Sequence, residues 1–146
     1  MSCYLLDVNL LIALFDPMHV FHNKSHDWFS SIQDEKWGSC PITQNALIRI
    51  LSSPSYSSID LLPNQIVNYA NEFISKSKRH VFLIENISLL DPKIFDHNFI
   101  HVHKQITDIY LLGLATYNKA KLATLDSTIP LKAVKIANKE NLVFIN

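Results

Sequence analysis

Short apolar runs alternate with amphipathic helical patterns along this chain. That alternation predicts an α/β fold with helices on both faces of a central parallel sheet. Two further observations agree with it. Asp7, Asp108 and Asp126 fall where an apolar run ends or a helical pattern begins, and such junctions form the carboxyl-end rim of a parallel sheet. The 146 residues suit one domain, 1–146, with a substantial core, and no linker or repeat divides them.

Cys3-Tyr4-Leu5-Leu6 reads as a buried strand, followed by a helical pattern from Asn9 to Phe15 carrying Leu10, Leu11 and Leu14. Asp16-Pro17 breaks that pattern. A second helix is expected over His19–Ile32, anchored by Phe21, Trp28, Phe29 and Ile32, and a short strand over Trp37–Cys40. Pro41 then marks a turn and Thr43 an N-cap for a helix over Asn45–Leu51. The serine-rich stretch Ser52–Ser58 is a loop. Pro63 suits the first turn of a helix reaching Lys78, with Ile66, Tyr69, Ala70, Phe73 and Ile74 on one face. Val81–Ile84 reads as a strand or extended segment. The stretch from Asp91 to Val102 is ambiguous between loop and a short helix after Pro92. Ile106–Lys119 is a helix, Leu122–Leu125 a strand, Pro130–Lys139 a helix and Leu142–Ile145 a last strand.

Composition narrows the functional classes. Hydrophobic residues make up 48% of the chain, too many for a disordered segment, while no run is long and apolar enough to suggest a membrane span. The N-terminus lacks the basic and then apolar pattern of a secretory signal. Cys3 and Cys40 read as a reduced thiol pair, and the expected location is the cytoplasm. Thirteen basic and thirteen acidic residues cancel, so net charge offers no general attraction for nucleic acid. After Asp108, however, Lys119, Lys121, Lys132, Lys135 and Lys139 face only Asp126 and Glu140, which is a local basic surface or a solvated helix face. Gly38 and Gly113 are the only glycines, which excludes a glycine-rich phosphate cradle.

Taken singly, each of the three aspartates has a structural reading. Asp7 and Asp108 suit helix caps, and Asp126 before Ser127 suits a turn. Taken together at one rim they point to a cation, because convergent carboxylates otherwise repel. Magnesium retains several waters and needs only two or three carboxylates. An ion held there can serve in-line attack on a phosphodiester.

Four blocks carry a family resemblance. They are Leu5-Leu6-Asp7-Val8-Asn9-Leu10-Leu11, Pro41-Ile42-Thr43-Gln44-Asn45-Ala46-Leu47-Ile48-Arg49, Thr107-Asp108-Ile109-Tyr110-Leu111-Leu112 and Leu122-Ala123-Thr124-Leu125-Asp126. In this order they resemble the PIN-domain family and, more narrowly, the VapC-type toxin ribonucleases of bacterial toxin–antitoxin pairs. The resemblance implies a PIN-like three-layer α/β/α sandwich, Mg²⁺ or Mn²⁺ as cofactor, RNA as substrate, a homodimer, and a small cognate antitoxin protein as inhibitor. It matches Asp7, Asp108 and Asp126 to three acidic residues of the family that hold metal and carry catalysis. Asn9 and Thr107 would orient those carboxylates, with Thr43, Asn45 and Arg49 beside them or beside substrate. Many members have a glutamate three residues after the threonine matched by Thr43, where this chain has Ala46. That departure supports an alternative, a degenerate PIN domain that binds RNA or antitoxin without cleaving.

Outside those blocks, His19, His22 and His26 have helical spacing but lack a cysteine or carboxylate partner, so the polar face of a helix is preferred to zinc. His101 and His103 read as solvent-facing or as RNA contacts. Trp28, Phe29 and Trp37 fall at core spacing, for the interior or a dimer contact rather than for base stacking.

Overall fold

The first strand of the chain is the central strand of the sheet. In the computed structural model, which describes residues 2–146, β1 (Cys3–Leu6) lies between β2 (Lys36–Ser39) and β4 (Lys121–Thr124). β3 (His80–Phe82) extends the β2 side and β5 (Leu142–Phe144) the β4 side, giving the order β3-β2-β1-β4-β5 with every pairing parallel. The chain builds outward from β1 in one direction and then returns to build outward in the other. The strand order therefore reverses between β1 and β4, where open α/β sheets form a crevice at their carboxyl ends. Leu6 pairs with Ala123, so the next residues along, Asp7 and Thr124, flank that crevice.

Successive strand residues feed opposite faces of the sheet. Leu6, Trp37 and Ala123 pack with α1 (Val8–Phe15), α3 (Pro41–Leu51) and α4 (Pro63–Ser75) on one side, and α2 (His22–Ser31) closes over α1. Leu5 and Leu122 pack on the other side with α5 (Ile106–Tyr117). Beside α5 that face is filled by irregular chain, Leu83–Phe95 and Ile129–Val134. Gly113 lets Phe95 reach the sheet. A Cβ there would stand 2.6 Å from Phe95 Cε1, far inside van der Waals contact.

The expected α/β/α architecture is present, and several boundaries differ from the sequence reading. α2 begins at His22 rather than His19, and α4 ends at Ser75 rather than Lys78. α3 begins at Pro41, whose fixed φ suits the first helical position. The helix expected over Pro130–Lys139 does not form. Single 3₁₀ turns occupy Leu131–Ala133 and Lys139–Asn141, and Val134 bridges antiparallel to Phe95. The Asp96 N–H donates to Ala133 O and the Lys135 N–H to Ile94 O, at 2.9 and 2.7 Å. Those cross-chain bonds, together with β-branched Val134 and Ile136, favour extended backbone over an internal helical ladder. The ambiguous 91–102 stretch contains one 3₁₀ turn, His97–Phe99, and a second turn, His103–Gln105, leads into α5.

Candidate active site

Asp7 lies immediately after β1 and opens α1. Its Oδ1 accepts the Leu10 N–H at 2.8 Å, and its Oδ2 accepts the Thr124 hydroxyl. It is 1% exposed. Its cap role and its place at the crevice are therefore compatible. Thr124 Oγ1 in turn accepts the Asp126 N–H at 2.9 Å, so one hydroxyl joins the ends of β1 and β4. Sequence reasoning missed Thr124. Its signal is register, because the residue after Ala123 must stand beside the residue after Leu6.

Burial pushes the Asp7 carboxyl up to about 7, against the lowering effect of the Thr124 and Leu10 bonds, and the charges of Asp108 and Asp126 push the same way. Asp108 lies in the first turn of α5, where the helix dipole favours a carboxylate. Burial and then the Asp126 charge still raise it to about 6. Among the described residues, no hydrogen bond restrains the Asp108 carboxylate. Asp126 Oδ1 accepts the Thr128 N–H and hydroxyl at 2.8 and 2.6 Å. Gln105 Nε2 donates to Thr128 O at 3.0 Å, which ties the start of α5 to the turn after β4.

The three aspartates are thus neighbours that feel one another's charge, yet they do not converge. Among the described residues no three His, Cys, Asp or Glu side chains gather into a metal-holding group. The donor set still fits a hard divalent cation. It is all oxygen, and burial and acidic neighbours disfavour charge on Asp7 and Asp108 in a way that a cation would reverse.

A cleft of about 450 Å³ opens beside Asp108. Asn9, Asn45, Arg49, Lys104 and Thr107 line it together with Asp108, and Val8, Ile42, Ala46 and Ile50 supply apolar surface. Asn9, Asn45, Arg49 and Thr107 therefore share a surface, as their assignment to one site requires. Thr43 lies apart. It is fully buried, with Oγ1 accepting the Cys40 N–H and donating to Cys40 O at 3.0 and 3.1 Å. The residue expected as an N-cap thus fastens the start of α3 from its third position. Lys104, exposed in the turn before α5, is a cleft residue that sequence reasoning did not single out. Its place beside Asn45 and Arg49 depends on residues far away in the chain.

Two of the helix histidines and the two tryptophans have structural partners. His22 Nδ1 and His26 Nε2 meet the carbonyls of Ala13 and Leu14 in the last turn of α1, at 2.7 and 3.0 Å. Trp37 is fully buried and meets Phe29 edge-on, while Trp28 meets Tyr4 in the same way.

Parallel β3-β2-β1-β4-β5 order with carboxylates at its reversal point defines an α/β domain whose site is acidic and positioned by the sheet. The PIN-domain model matches residues 4–135, and the chain belongs to that family. It is similar to Ribonuclease VapC44 of Mycobacterium tuberculosis, at 38% identity over 94% of this chain and 96% of the relative. Ribonuclease VapC39 and Ribonuclease VapC38 of the same organism are 30% and 32% identical, each over 86% of this chain and over 89% and 86% of their own lengths.

Proposed function

We propose that this protein is a toxin endoribonuclease that depends on Mg²⁺ or Mn²⁺ and is neutralised by a small cognate antitoxin protein. The observation that carries the reading is Asp7. A carboxylate is buried at the strand-order reversal beside two other acids, in a chain whose relatives are named ribonucleases. Burying such a group without a counter-charge is costly, and a site that binds a cation supplies the reason. Asp7 and Asp108 would hold the ion, with Asp126 as the third carboxylate of the site. When bound, the ion supplies positive charge that offsets developing charge on phosphate oxygens.

The protein's own groups do the positioning. Thr124 and the Leu10 N–H fix the Asp7 oxygens. Asn9 and Thr107 line the same cleft as Asp108 and present an amide and a hydroxyl to water and substrate. Asp126, restrained by Thr128, is available to orient the attacking water. The reading includes a homodimer acting in the cytoplasm. Among the described residues, no helix is long and apolar enough to cross a membrane.

Cleavage of labelled RNA with Mn²⁺ or Mg²⁺ tests the reading. The wild type should cut, and Asp7→Asn and Asp108→Asn should each lose at least about a hundredfold in rate, the scale of losing a major electrostatic contribution. Equal rates from all three proteins would overturn it.

A second reading, a degenerate PIN domain that binds without cleaving, rests on Ala46. This residue lines the cleft without a carboxylate. Titration calorimetry separates the two readings. Saturable Mn²⁺ binding that disappears in Asp7→Asn favours the enzyme, and no binding by the wild type favours the module.

A further inference from the structure

The cleft beside Asp108 contains two cations with no acidic partner. Arg49 sits in the last turn of α3, one helical turn beyond Asn45, and both side chains are exposed. Lys104, in the turn before α5, lines the same cleft. Neither cation forms an ion pair among the described residues. Neither figures among the charges acting on Asp108, whose carboxyl feels burial and Asp126. An ion pair within the protein is therefore not what these residues are for. Ala46, 9% exposed and between Asn45 and Arg49 in sequence, puts a methyl group at the cleft surface, so no carboxylate competes there for the guanidinium.

We propose that Arg49 and Lys104 form a two-sided clamp for a backbone phosphate of the RNA, placing the strand against Asp108 from the side where this chain has Ala46. The clamp rests on the ribonuclease reading and adds the groups that position the substrate. Arg49 offers a planar fork that matches two phosphate oxygens. Lys104 offers a mobile point charge from the turn before α5. Asn45, on the Arg49 face of α3, adds an amide that can donate to the same phosphate or to a ribose hydroxyl. The arrangement also answers the net-charge argument. A chain of zero formal charge requires only a local pair of cations to attract a phosphate, provided no acid neutralises them.

The test is fluorescence anisotropy with a short fluorescein-labelled single-stranded RNA, in EDTA so that nothing is cut. Arg49→Gln and Lys104→Gln should each weaken binding about tenfold, as expected when a charge-assisted hydrogen bond to phosphate is removed. The slope of log affinity against log salt should also become shallower by about 0.7 for each phosphate that is no longer neutralised. Arg49→Lys and Lys104→Arg should recover part of both quantities, and Lys76→Gln, exposed and outside the cleft, should change neither. Both exposed glutamine variants should melt with the wild type. Wild-type affinity and salt slope in both glutamine variants, with Mn²⁺-dependent cleavage by the wild type, overturns the clamp and leaves the ribonuclease reading standing. Weakened binding in the variants, with no cleavage by the wild type, supports the clamp and overturns the ribonuclease reading. No RNA binding by the wild type overturns the clamp, and wild-type cleavage then decides the ribonuclease reading separately.

Discussion

On the β1–β4 side of the site, Asp7 is out of solvent and both its oxygens already accept hydrogen bonds. On the α3–α5 side, Asn45, Arg49 and Lys104 are exposed, and no hydrogen bond holds their side chains among the described residues. The sheet wall uses the fold to hold a charge that water would otherwise stabilise. The helical wall leaves its side chains ready for something outside the chain. Mutations on the first wall should therefore move both stability and chemistry, and mutations on the second should move substrate binding alone.

The sharpest way to break that contrast is to compare Asp7→Asn with Asp108→Asn. Both should abolish metal-dependent cleavage. Asp7→Asn should stabilise the ion-free protein above pH 7 more than Asp108→Asn does, because the Asp7 carboxyl is the more strongly raised and asparagine can still cap α1 without a buried charge. Chemical denaturation in EDTA measures it, and equal stability changes in the two variants would dissolve the distinction.

Next in size is the pH dependence of the ion-free fold. The Asp7 carboxyl rises from its ordinary 3.8 to about 7 on folding, and that of Asp108 from 3.8 to about 6. The folded state thus binds more protons than the unfolded chain across this window, and its stability falls as pH rises. Asp7 alone gives a slope of up to about 1.4 kcal/mol per pH unit between roughly 4 and 7. Denaturant midpoints measured from pH 4 to 8, roughly this window, should decline, flatten above 7, and lose most of their slope in Asp7→Asn. Saturating Mn²⁺ should raise the high-pH end most, since it competes there with the fewest protons.

Thr124→Val tests the link between the two strand ends. It removes the donor to Asp7 and the acceptor for the Asp126 N–H, and it should cost about 2 kcal/mol. Mn²⁺ affinity should weaken with it, as read by calorimetry. The smallest effect belongs to Thr43→Val, which loses the fastening at the start of α3 at about 1 kcal/mol. RNA binding by that variant should match the wild type, and a weakening comparable to that of Arg49→Gln would return Thr43 to the substrate surface.

The strands and the rim aspartates were legible because both follow from local pattern. A four-residue apolar run and the acid that ends it can be read without knowing any neighbour. Thr124 and Lys104 were illegible for the opposite reason. The importance of Thr124 depends on its register with Leu6 and Asp7, more than a hundred residues away. Lys104 enters the cleft from the turn that leads into α5, and its neighbours there, Asn45 and Arg49, come from a distant part of the chain. The expected Pro130–Lys139 helix failed similarly. Its pattern was local, but the backbone bonds from Ile94 and Asp96 that hold the segment extended are not. Thr43 was read as the N-cap and is instead the third helical residue, because a hydroxyl near a helix start serves either position until the place of Pro41 is known.

The central place of β1 has a consequence for synthesis. Asp7 is made well before the hydroxyl that holds it, which lies 117 residues later in the chain. β4, whose end forms the other lip of the crevice, arrives at residues 121–124. A nascent or truncated chain that stops before β4 carries Asp7 and lacks the site. The ribonuclease activity proposed above should therefore be absent from any chain interrupted before residue 124.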